Sequence, residues 1–155
     1  MKSSESFSLL FLIFFLNSCS QDDLAYDNLK TFDIGEYQLQ APKNFNLIEQ
    51  QGYDSMVGII EGSGITMSYD YGMYTSPEQN VSEENYDIIN DNNDGTIRQL
   101  LIPKNPERDH TSIHISFTEN PESNNPPALK IWSSNLTEKQ QELVIKIFNS
   151  ITVAR

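Results

Sequence analysis

The 155-residue chain reads as an α+β protein: an antiparallel sheet of about six to seven strands with one C-terminal amphipathic helix packed on one face. Three observations predict this. Between about Gly35 and Ser133 the apolar residues recur mostly with period two, the mark of half-buried strands. The turn-forming clusters Gly62-Ser63-Gly64 and Asp91-Asn92-Asn93-Asp94-Gly95 separate such runs and join neighbours as hairpins. Near the end the period changes, and Leu143, Val144, Ile147, Phe148 and Ile151 form one stripe at helical spacing.

In chain order, the first element is an export signal. Lys2 precedes a run from Phe7 to Leu16 that is apolar except for Ser8, too short to span a bilayer, which takes about 20 apolar residues. Leu16-Asn17-Ser18-Cys19 then places a branched residue, a small residue and the only cysteine directly behind that run. These four residues resemble the lipobox of bacterial lipoproteins. The resemblance implies cleavage between Ser18 and Cys19, alkylation of the Cys19 thiol by diacylglycerol, and acylation of the new amino group by a fatty acid such as palmitate. Two or three chains on one residue give durable anchoring, which one chain does not. Residues 1–18 are thus expected to be a signal peptide and 19–33 a lipidated tether, with 34–155 as the single domain. Asp22 and Asp23 resemble the acidic surface-export signals of Bacteroidota lipoproteins. They imply an outer-membrane anchor with the exterior face favoured over the periplasmic one.

The net charge of −12 argues against nucleic acid, whose binding is dominated by Lys and Arg on phosphates. The same charge keeps the body of the domain off anionic lipid, so the membrane is reached through the anchor alone. A monomer is expected. With Cys19 lipidated, no thiol remains for a disulfide or for catalysis.

Within the domain, Gly35 to Ala41 alternates Tyr37 and Leu39 with Gln38 and Gln40, and Phe45, Leu47 and Glu49 continue as a short strand. Met56 to Glu61 and Ile65 to Tyr71 flank the glycine-bracketed turn, with Tyr69 and Tyr71 sharing parity with Ile65 and Met67 and therefore expected in the core. Pro77 to Glu84 is a loop. Tyr86 to Asn90, Thr96 to Ile102, Thr111 to Thr118 and Ala128 to Ser133 are further strands, and Asn120 to Pro127 is a proline-rich loop. The helix opens on Thr137-Glu138-Lys139-Gln140, the spacing of a capping box. Lys139, Glu142, Lys146 and Asn149 form its wet face. The stretches Gln51 to Gly58, Ser68 to Gly72 and Ile147 to Ile151 together resemble small uncharacterised lipoproteins of the Bacteroidota, whose layout is similar to the Mog1/PsbP-type sandwich. That resemblance covers about Phe32 to Val153 and implies an accessory or binding role at the level of fold.

Motifs for chemistry are sparse. Asn90 to Gly95 lacks the EF-hand carboxylate, since Leu101 stands six residues after Gly95. His110 and His114, the only histidines, lack a third ligand at metal spacing, and His110 falls in the loop before its strand. Gly62-Ser63-Gly64 is a turn between strands, not a nucleophile elbow. No metal and no cofactor are expected. Trp132 alternates with Ile131, which offers it the face away from the core as a candidate contact residue beside His114, although packing against the start of the helix near Leu136 is the favoured expectation. The leading expectation is a tethered, non-catalytic module that binds or assists another protein. The competing one is an envelope hydrolase or carbohydrate-binding protein whose site is assembled from residues distant in sequence.

Overall fold

The computed structural model describes residues 28–93, 95–118 and 126–154. Ser18, Cys19, Asp22 and Asp23 lie outside the described residues, as does most of the proline-rich loop. The chain is α+β. In order it forms β1 (Leu29–Ile34), β2 (Tyr37–Pro42), β3 (Asn46–Gln50), β4 (Met56–Gly62), β5 (Ile65–Gly72), β6 (Tyr86–Asn93), β7 (Thr96–Pro103), β8 (His110–Phe117), β9 (Ala128–Ser134), α1 (Glu138–Asn149) and β10 (Thr152–Val153).

These strands make two sheets rather than one. A small sheet has the order β1-β2-β10, and a large one the order β3-β4-β5-β9-β8-β7-β6, with every pairing antiparallel. Two corrections to the sequence reading follow. Leu29–Ile34 is a strand and not tether, because Phe32 and Ile34 bury themselves while the backbone pairs with β2. Only its last part alternates, with Phe32 and Ile34 buried behind a polar stretch, which hid it. The second is β10, too brief for any periodicity; it pairs with Gln38 and Tyr37 as the chain leaves the helix.

The hairpin of β4 and β5 turns at Ser63 and Gly64, whose φ angles of 52° and 70° are the left-handed pair that a two-residue turn requires. The second hairpin is tighter than its composition implied: Asp91, Asn92 and Asn93 continue β6 and pair with Arg98, Ile97 and Thr96.

The helix obeys its sequence. Thr137 Oγ1 accepts from the Gln140 backbone amide and the Gln140 side chain accepts from the Thr137 amide, closing the capping box. Val144, Ile147 and Phe148 are buried, followed by Ile151 past the helix end, while Lys139, Glu142, Lys146 and Asn149 are exposed. The stripe joins one core with Ile34, Tyr37 and Leu39 of the small sheet and Ile60, Met67, Tyr69, Ile113, Ile115, Leu129 and Ile131 of the large one. Replacing Phe148 with Ala should cost about 3–5 kcal/mol, the range for an aromatic lost from a packed core. Thr137→Ala, which removes only a cap, should cost about 1 kcal/mol. Urea unfolding of the two variants should show that ranking.

Candidate functional site

The large sheet is wound in two antiparallel runs. After β3, β4 and β5 the chain leaves the middle of the sheet, crosses to the far edge to start β6, and returns through β7, β8 and β9 to close against β5. The crossing segment, between Gly72 and Tyr86, is a strap over the face of β9, β8 and β7 turned away from the core. It explains why β8 is buried on both sides: Ile113 and Ile115 face the core, while Ser112 and His114 face the strap. Leu101 of β7, also on the strap side, is 0% exposed.

Glu78 is the latch of the strap. Its backbone amide donates to Gln99 Oε1 of β7 at 3.0 Å, and Gln99 Nε2 donates back to its carbonyl at 3.3 Å. Its Oε1 accepts from His110 Nε2 at 2.7 Å and from Ser112 Oγ at 3.3 Å, both on β8, and pairs with Lys130 Nζ of β9 at 3.0 Å. One residue thus ties three adjacent strands. Burial pushes the Glu78 carboxyl up, but the hydrogen bonds and charges of Lys130 and His110 outweigh it and hold the group below the ordinary carboxylate range. A second tie is His114, whose Nε2 donates to the Thr75 carbonyl at 3.4 Å. Burial pushes this imidazole below the ordinary histidine value, the hydrogen bond to Thr75 opposing it.

Beside the strap the same face carries an open recess of about 440 Å³, lined by Asp70 of β5, Glu78, His110, Lys130, Trp132 and Ser134. Asp70 and Lys130 face each other across β5 and β9, and Ser68 and Trp132 form the next outward pair along the same two strands. The Lys130 ammonium stands 5.9 Å from the Trp132 ring centroid. Asp70 Oδ1 is enclosed and makes no hydrogen bond among the described residues, a local cost that folded proteins seldom carry without a reason.

The sequence-predicted residues separate here. Trp132 does face away from Ile131 and lines the recess. His114 does not reach it; at 5% exposure it lies beneath the strap, since the crossing segment covers the side of β8 that the sequence leaves open. His110 is the first residue of β8 rather than part of the preceding loop, drawn into the strand by Ser134 opposite and Glu78 above. Sequence reasoning missed Glu78, Lys130 and Ser134. Glu78 sits in an acidic loop with nothing local to mark it; only the β5-to-β6 crossing brings it to Lys130. Among the described residues no group of three or more His, Cys, Asp or Glu is placed to hold a metal ion.

Comparison with known proteins adds no family. No protein-family model matches the chain, and no curated protein does.

Acid acts against the strap at both places, by burying a charge at His114 and by removing one from Glu78. The fold depresses the His114 pKa, so its contribution to stability is whole above the unfolded value of about 6.5 and declines as pH falls below it. Glu78 is likewise depressed, so its contribution is whole above about 4.3 and is lost as pH falls through the folded value. Trp132, the only tryptophan, sits beside the latch and reports on it. Its emission is expected to shift as pH falls from 7 to 3. Glu78→Gln should make that shift smaller; an emission flat over that range in the unaltered protein would contradict the latch.

Proposed function

We propose that the protein is a lipid-anchored, non-catalytic domain of the bacterial cell envelope that binds a carbohydrate in the recess beside the strap. The observation that carries this reading is the make-up of the recess: the Trp132 indole stands in its wall among two carboxylates, a lysine, a histidine and a serine. An aromatic face offers the apolar CH surface of a sugar ring a flat partner, while carboxylates and hydroxyls bond the ring's hydroxyls. Binding without cleavage is supported by Glu78. Cleaving a glycosidic bond takes a carboxylic acid whose pKa is raised so that it holds a proton near neutrality. Glu78 is shifted the other way and is already engaged by three donors.

The address in this proposal rests on Leu16 to Cys19 and on Asp22 and Asp23: anchoring through Cys19 to the outer membrane, with the exterior face favoured. The paired sheets and closing helix are compatible with a Mog1/PsbP-type sandwich, which adds a binding or accessory role by analogy of fold alone.

A protein partner is a second reading, favoured by exposed side chains at one end of the large sheet. Tyr53 is fully exposed, Tyr74 is 76% exposed, and Met56 and Met73 are exposed beside them. Gly72 abuts the 52–55 loop, so these residues share one end of the β4–β5 hairpin. Residue 28, toward which the tether leads, joins at the opposite end, where the Asn28 carbonyl accepts from Lys43 and Phe45 packs on Gly62. The exposed cluster is therefore at the end of the hairpin opposite residue 28.

Two experiments test the proposal. In affinity electrophoresis against a panel of soluble polysaccharides, at least one should retard the protein, and Trp132→Ala should weaken that retention at least tenfold, about 1.4 kcal/mol, with an unchanged circular dichroism spectrum. Retention unaffected by Trp132→Ala, or none across the panel, would refute sugar binding and leave the protein-partner reading. Separately, cells fed a fatty-acid analogue should label the unaltered protein and not Cys19→Ala; equal labelling of both would refute the anchor.

A further inference from the structure

A second recess, of about 480 Å³, opens on the opposite face of the large sheet, where β6 and β7 run past the end of the helix and β10. Arg98 of β7, Phe117 of β8, Ile151 and Val153 wall it, and Asp91 and Asn149 are on its rim. Arg98 and Asp91 are direct cross-strand partners and share one face. Facing positions of unlike charge ordinarily close on each other. Here they do not: neither residue makes an ion pair among the described residues, and the Arg98 guanidinium instead donates from Nη2 to the Ile151 carbonyl as the chain leaves the helix. That contact uses one of five N–H donors on a half-buried group. Arg98 and Asp91 thus line one recess with their charges not closed on each other, although the chain has 22 acidic residues against 10 basic ones.

We propose that this recess binds a free α-amino acid with an apolar side chain. The ligand carboxylate takes the remaining Arg98 donors, for which the planar fork is suited. Its ammonium meets Asp91, and its side chain lies on Phe117 and Val153. The volume is within the 300–1,000 Å³ of ordinary small-ligand sites, so such a molecule fits. A ligand carrying both charges is preferred to a simple carboxylate because the two unlike groups stand on facing positions and are not satisfied by each other. The Phe117 wall is itself firm, since its ring stacks on Tyr37 with centroids 5.6 Å apart.

Titration calorimetry with the full chain in detergent tests this, using L-leucine, N-acetyl-L-leucine, which lacks the ammonium, and L-leucinamide, which lacks the carboxylate. L-leucine should bind saturably and both derivatives at least tenfold more weakly. Asp91→Asn changes an exposed residue outside the core; it should lower L-leucine affinity at least fivefold and leave N-acetyl-L-leucine unchanged. Arg98→Lys, which keeps the charge and a donor for Ile151, should also weaken L-leucine. Trp132→Ala, on the other face, should not alter L-leucine binding, which separates this site from the proposed sugar recess. Absence of saturable L-leucine binding, or L-leucine binding indifferent to Asp91→Asn, would overturn the inference.

Discussion

The small sheet is held on the large one through Tyr37. Its ring stacks on Phe117 of β8 and meets Tyr71 of β5 edge-on at 6.1 Å, while its hydroxyl donates to the Ile115 carbonyl at 3.3 Å. Burial pushes this phenol far above its ordinary pKa, so it remains a neutral donor at any ordinary pH. One side chain of β2 thereby contacts two strands of the opposite sheet, and the rest of the closure follows from it. β1 and β10 flank β2, and the helix that leads into β10 lays its stripe into the same core. Ser150 ties the helix end to β2, donating to the Ile147 carbonyl and accepting from the Gln40 amide.

The other organising constraint is the order of strands in the large sheet. Placing β9 next to β5 forces the chain after Gly72 to travel to the far edge, about 19 Å at ordinary strand spacing. A segment of that reach lying over polar side chains must satisfy its own backbone, and Glu78, Gln99 and His114 supply part of that need. The recess at Trp132 is a consequence of the same route. It forms where the strap stops short of covering β5 and β9, with the latch residues in its wall. Stability of the strap and composition of the site therefore use the same side chains, Glu78, His110 and Lys130.

Much of the architecture was legible from local pattern. Two-residue alternation located β2 to β9, the glycine-bracketed hairpin appeared with its turn at Ser63 and Gly64, and Thr137 with Gln140 capped the helix as their spacing implied. What escaped was short or non-local. β1 and β10 pair with β2; β1 has only Phe32 and Ile34 as its buried positions behind a polar stretch, and β10 has two residues in all. Of the candidate site, one wall was legible: parity with Ile131 offered Trp132 the outer face. Its neighbours were not, since Glu78 and Lys130 are separated by some fifty positions and meet only because the strap crosses β9.

By itself, then, the sequence determined the class of the domain, the period of the long strands and of the helix, and the helix cap. Those properties depend on contacts a few residues apart, where pattern and physical cause coincide. Tertiary structure alone decided that the strands divide into two sheets, that β5 neighbours β9, that His114 is covered and Trp132 is not, and that Arg98 turns to a backbone carbonyl while Asp91 stays apart. Each of these depends on which distant segments are brought together, and hydrophobic alternation is the same whichever partner a strand finds.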